Sequence, residues 1–136
     1  MIYLLDTNII SETVKKLPNE HVLRWLSSID SRQFCLSVLT LGEIRKGAEK
    51  LNDLSRKQKI IQWLEIDLVS QFSDRIITID PAVADKWGYI CSVDNLPAVD
   101  ALIAASAMVH NLKLVTRNIK DFNRINGLEL INPWEV

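Results

Sequence analysis

The sequence predicts an α/β fold, a parallel central sheet of about five strands with helices on both faces. Three observations carry that expectation. Short apolar runs alternate with stretches of helical periodicity along the whole chain, the pattern of right-handed strand-helix-strand crossovers. The first run, Ile2-Tyr3-Leu4-Leu5, contains no Gly, Pro or charge and reads as a strand buried on both faces, as a central strand of a parallel sheet is. That run stops on Asp6, a carboxylate placed where open α/β sheets hold their ligands, outside the carboxyl ends of the strands.

Composition bounds the rest. A chain of 136 residues buries roughly two thirds of the surface its unfolded form exposes, so one domain over 1–136 needs no disulfide or structural metal to fold. At 48% hydrophobic and 24% charged it excludes long disorder. The longest apolar stretch, Ala101 to Val109, is too short to cross a bilayer, and Met1-Ile2-Tyr3 lacks the features of a signal peptide. The expected location is the cytoplasm. Cys35 and Cys91 sit at no metal-ligand or Cys-x-x-Cys spacing and read as buried, reduced thiols. A net charge of -1 excludes a protein that holds nucleic acid by overall charge, so any such contact must be local.

In chain order, Asp6, Thr7 and Asn8 end the first strand and suit a helix cap as well as a site. After the polar break Lys15 to Pro18, Asn19 caps a helix with Val22, Leu23, Leu26 and Ile29 on one face; His21 has no partner at ligand spacing. Gln33 to Ser37 is a second strand, running into a helix that carries Leu41, Ile44, Ala48 and Leu51 inward. Glu43 lies one turn into that helix, where Thr40-Leu41-Gly42-Glu43 also fits a capping box. Leu54 to Phe72 forms a longer amphipathic helix with Ile60, Ile61, Leu64 and Leu68 inward and Arg56, Lys57 and Lys59 on a solvated face.

Arg75 to Ile79 is a third strand, closed by the cap Asp80-Pro81 of a helix that runs from Ala82 to about Cys91. Pro97 starts an Ala-rich helix suited to close packing on the sheet. Asp100 lies in its first turn, where the helix dipole favours a carboxylate by about 0.3 to 1 kcal/mol. It is also the only charge between Pro97 and His110, and a lone charge beside buried surface needs a partner. Lys113 to Thr116 is a fourth strand, followed by the polar loop and turn Arg117 to Phe122, and Leu128 to Ile131 is the last strand. In a parallel sheet all carboxyl ends point one way, so Asp6, Glu43, Asp100 and the loop after the fourth strand can converge.

Acids gathered in one crevice repel, and a divalent cation relieves them. An all-oxygen donor set without His or Cys selects a hard ion such as Mg²⁺ or Mn²⁺. Such an ion activates water and neutralises charge on a phosphodiester during displacement, which is nuclease chemistry.

Leu4-Leu5-Asp6-Thr7-Asn8, the Ser37 to Glu43 helix start, Asp100 to Ala107, and Leu114-Val115-Thr116-Arg117-Asn118 together resemble the PIN-domain family. The ending Asn132-Pro133-Trp134 is similar to that of its VapC-type toxins, in the FitB-like branch. The resemblance spans the chain and implies a three-layer PIN-like fold and a Mg²⁺-dependent endoribonuclease. It further implies a homodimer and the toxin of a type II toxin-antitoxin pair, inhibited by a cognate antitoxin. Asp6, Glu43 and Asp100 match the family's three acidic positions, as catalytic groups and metal ligands. At the fourth position this chain has Asn118, with Asp121 one turn later as a substitute ligand. Arg45, Lys46 and Arg117 lie close in sequence to these acids, where phosphate contact competes with plain solvated surface.

Two other classes compete. A haloacid-dehalogenase-like phosphatase would use Asp6 as nucleophile but wants an acid two residues on, where this chain has Asn8. A catalytically inactive RNA-binding or interaction module would not need Asp6, Glu43 and Asp100 intact. Trp25, Trp63, Trp87 and Trp134 exceed what one small core obviously requires, so interfaces are expected, with at least two of the four in the core.

Overall fold

The computed structural model describes residues 1–136. Its five strands are β1 (Tyr3–Leu5), β2 (Phe34–Ser37), β3 (Ile76–Ile77), β4 (Lys113–Val115) and β5 (Leu130–Ile131). They pair in the order β3-β2-β1-β4-β5, every pair parallel. The first strand made is therefore the middle strand, as its unbroken apolar run requires. Leu4 stands opposite Cys35 on one side and Leu114 on the other.

Successive residues of a strand face opposite sides, and the two sides pack against different helices. Leu4, Cys35, Ile77 and Leu114 lie in a core with α6 (Pro81–Val93), α7 (Ala98–Val109) and Phe122 of α8 (Ile119–Phe122). Leu5, Leu36 and Val115 lie in the other, with Ile9 and Ile10 of α1 (Thr7–Thr13), Val22 of α2 (Glu20–Ser27) and Ile44 of α3 (Val38–Glu49). Leu64, Leu68 and Phe72 complete that second core from the helical stretch beginning at α4 (Leu54–Gln62). The result is three layers. Tyr3, Trp25 and Phe34 close one edge of the second core as a ring cluster, with centroids 5.2 to 5.9 Å apart. No helix is long and apolar enough to cross a membrane.

Several expectations change. Leu54 to Phe72 is not one α-helix: a π-helical turn, Trp63–Leu68, separates α4 from the short α5 (Val69–Gln71). The inward residues Leu64, Leu68 and Phe72 recur every four positions, a spacing that does not reveal the wider turn. The capping box at Thr40 does not form, because β2 runs directly into α3 and Ser37 is the cap, its Oγ accepting the Leu39 N–H at 3.1 Å. Thr40 is instead fully buried. Leu23 is exposed, since α2 covers the core with a narrow stripe. The helix from Asp80 runs on to Val93 and presents Cys91 to solvent, whereas Cys35 is buried and its thiol is pushed up to about 12 by that burial. Pro97 caps α7 rather than opening it. All four tryptophans are half-buried, none fully in the core and none fully exposed.

Candidate active site

Asp6 directly follows a strand, Glu43 lies on the helix that continues the next strand, and Asp100 comes from a helix start. Asp6 leaves β1 with an extended backbone and caps α1 at once, its Oδ1 accepting the Thr7 N–H at 2.8 Å. Cap and site are thus the same residue, with no loop between strand and helix to blur its position. The early start of α3 at Val38 puts Glu43 in the second helical turn, where its Oε1 accepts the Thr7 hydroxyl at 2.5 Å. Thr7 and Thr40 hydroxyls lie 3.3 Å apart behind it. Asp100 enters from the first turn of α7, half-buried.

Thr116 carries no separate signal in the sequence, beyond being a hydroxyl that follows the apolar pair Leu114-Val115. It is completely buried, and its Oγ1 donates to Asp6 Oδ2 at 2.8 Å. The direction of that bond is forced. The same oxygen receives the Asn118 backbone N–H at 3.1 Å and the Asn8 amide at 3.3 Å, so its single proton has only Asp6 to go to. Asn8 is oriented in turn by the Arg117 backbone N–H, which donates to its Oδ1 at 3.3 Å. Thr7, Asn8 and Thr116 therefore form a polar frame that holds the Asp6 and Glu43 carboxylates.

The acids feel one another. Burial is the largest influence on Asp6 and raises its pKa to about 6, against the Thr116 and Thr7 hydrogen bonds that lower it; Glu43 and Asp100 raise it further. Asp100 is also raised, first by burial, then by Glu43 and by Asp121. No cation neutralises either carboxylate, an arrangement that favours a bound positive ion.

Asn118 and Asp121 are both exposed at the rim, Asn118 tied to Thr116 through its backbone rather than its amide. Arg45 is drawn away from the acids, 3.2 Å from Glu65 and 3.9 Å from Glu49. The Arg117 guanidinium lies 5.1 Å above the Trp134 ring. Lys46 borders a cleft of about 400 Å³ together with Glu43, Lys50 and Val99.

No three carboxylate, imidazole or thiol groups stand close enough to enclose an ion on their own. The donor set is nonetheless that of a hard divalent cation. Such an ion keeps several waters and takes only one or two carboxylates directly, so an open acidic crevice suits it better than a closed cage.

The PIN domain family matches residues 3–128. The toxin FitB of Neisseria gonorrhoeae is 35% identical over 136 residues, 96% of this chain and 97% of that protein. A tRNA(fMet)-specific endonuclease VapC of Shigella flexneri is 30% identical over 131 residues, 93% of each chain. The crystal structure of FitAcB from Neisseria gonorrhoeae contains a chain that superposes with a TM-score of 0.91 at 34% identity, covering 99% of this chain and all of that one.

Proposed function

The chain belongs to the PIN-domain family, and from that premise we propose that it is a divalent-metal-dependent endoribonuclease, the toxin of a type II toxin-antitoxin pair. The observation that carries the reading is Asp6: a buried carboxylate at the end of the central strand, facing Glu43 and Asp100 with no cation to balance it. Residues 1–136 act as one domain, and the setting is the cytoplasm. The ion is Mg²⁺, with Mn²⁺ as a substitute, held by Asp6, Asp100 and Glu43, with Asn118 or Asp121 on the fourth side.

When bound, the metal supplies an activated water at neutral pH and offsets charge on the phosphodiester. The protein's own groups do the positioning. Thr116 and Thr7 donate to Asp6 and so favour its ionised, ligating form against the burial that opposes it. Glu43 has one oxygen fixed by Thr7, which fixes where the other is presented. Asp100 brings its charge from a helix N-terminus that tolerates it. Arg117, braced on Trp134, and Arg45 are the side chains assigned to phosphate contact; Arg45 reaches it only by leaving Glu65. The phosphatase reading is weaker, because Asn8 directs an amide at Asp6 and Thr116 where a second acid would be needed.

The test is a metal titration followed by an RNA cleavage assay with purified protein. Cleavage that appears with Mg²⁺ or Mn²⁺ and vanishes with chelator supports the reading; release of phosphate from monoesters without RNA cleavage defeats it. Two partners follow from the proposal, a second copy of the chain and an antitoxin. Light scattering tests the homodimer, and a monomer at high micromolar concentration counts against it. Co-purification with the product of the neighbouring reading frame, with loss of cleavage, tests the antitoxin.

A further inference from the structure

The cations of α4 do not form the plain solvated face that the sequence suggests. Lys15, Lys16, Arg56, Lys59 and Trp63 line a cleft of about 490 Å³ whose only acid is Asp53. Asp53 accepts the Arg56 backbone N–H at 3.2 Å as the cap of α4. A second cleft of about 230 Å³ shares Lys15, Arg56 and Trp63 with the first and reaches Glu43. The two form one groove from the acidic site to a basic mouth. Lys15 is held by Glu12 at 2.9 Å, whereas Lys16 and Lys59 are exposed and carry no ion pair. Trp63 opens the π-helical turn, a feature that recurs at functional positions.

We propose that this groove is the track of the single-stranded RNA beside the bond to be cut, with phosphates at Lys16, Arg56 and Lys59 and a base against Trp63. The proposal rests on the ribonuclease reading and deepens it. An acidic crevice repels a polyanion, so affinity must come from elsewhere on the protein, and in a chain of net charge -1 this is where cations gather. A helical protein segment would need a continuous apolar stripe; Ile44, Ala48 and Leu51 line the inner cleft, but the mouth, where the cations lie, offers only Val14, Ile60 and Trp63. Cations along a groove with an aromatic side chain in its wall suit single-stranded nucleic acid.

The test measures anisotropy of a labelled single-stranded RNA of about twelve nucleotides, within known site sizes, on metal-free full-length protein. The double variant K16E/K59E should bind about tenfold more weakly at low salt. Its slope of log affinity against log salt should fall by about 1.4, the value for two lost phosphate contacts on a single strand. K16R/K59R should restore both, and K86E, on α6, should match wild type. Unchanged affinity and slope in K16E/K59E, or an equal loss in K86E, overturns the groove. So does a K16E/K59E protein that keeps RNA but loses an acidic partner protein. A wild-type protein that binds this RNA through the groove yet never cleaves it with metal defeats the nuclease reading alone.

Discussion

Asp6 and Glu12 stand at opposite ends of α1, and solvent reaches the two side chains almost equally little, 6% and 5% of their surface. Their proton affinities nevertheless move in opposite directions. Glu12 accepts the Lys15 ammonium and the Asn19 backbone N–H, each at 2.9 Å, and its pKa is lowered, first by that Lys15 bond. At Asp6 burial comes first and lifts the pKa to about 6, the donors that oppose it are all neutral, and two facing acids add to the rise. Burial raises both, and it prevails at Asp6 but is outweighed at Glu12 by the Lys15 ammonium. What separates them is a counter-charge, supplied from within the protein for Glu12 and left for an ion at Asp6.

Removing the Asp6 charge breaks this contrast most completely. Asp6→Asn should lower metal-dependent cleavage by about 10²- to 10³-fold, the scale for loss of one preorganised charge-stabilising group, while the circular dichroism spectrum is retained. Wild-type rates at saturating metal would show that Asp6 is not a ligand. Without metal, the two acids should also give opposite pH dependences. The folded-state pKa of Asp6 lies above its unfolded value of 3.8, so its contribution is fully present below 3.8 and is lost as pH rises through about 6. The loss amounts to about 3 kcal/mol, at 1.36 kcal/mol per unit, and should disappear from denaturant titrations of Asp6→Asn. Glu12 has a lowered pKa, so its contribution is present above 4.5 and is lost on acidification.

Smaller changes sharpen the comparison. Thr116→Val removes the donor that favours ionised Asp6, and should weaken metal affinity by about 10- to 100-fold and move the pH profile of cleavage upward. An unmoved profile would make Thr116 a packing residue only. Glu12→Gln should cost about 1 kcal/mol at pH 7 in urea unfolding, because Lys15 is half exposed, with little effect on cleavage. A large fall in cleavage would mean that α1 couples the two acids. Asn118→Asp should tighten metal binding a few-fold, roughly within the range of a changed outer ligand. Calorimetry showing the wild-type constant would put position 118 outside the metal's surroundings.

How much of this was legible follows from which residues act alone. The place of β1 could be read because Tyr3-Leu4-Leu5 admits no solvent face, and Asn19 and Asp80 cap the helices their neighbours require. Glu43 was ambiguous for a physical reason: Thr40 and Glu43 have the spacing of a capping box wherever they fall in a helix. Only the exact end of β2, which gives the cap to Ser37, decides between the readings. Thr116 was not visible as a site residue because its role lies in Asp6 and Asn8 at the start of α1, more than a hundred residues away in the chain. Cys91 was misjudged because burial of a thiol depends on which face of α6 it occupies, and the periodicity around Trp87 and Ile90 left that face undecided.

The strand order has a consequence during synthesis. β1 is translated first yet sits in the middle of the sheet, so it waits for a neighbour from each half of the chain. Asp6 is held by Thr116, 110 residues downstream. Until Thr116 has left the ribosome, the Asp6 carboxylate therefore has only its neighbours Thr7 and Asn8 and lacks the buried hydroxyl of its frame. On the ribonuclease reading the site stays incomplete until the residue after β4 has emerged, and a message truncated before β4 yields a product with no assembled site to restrain.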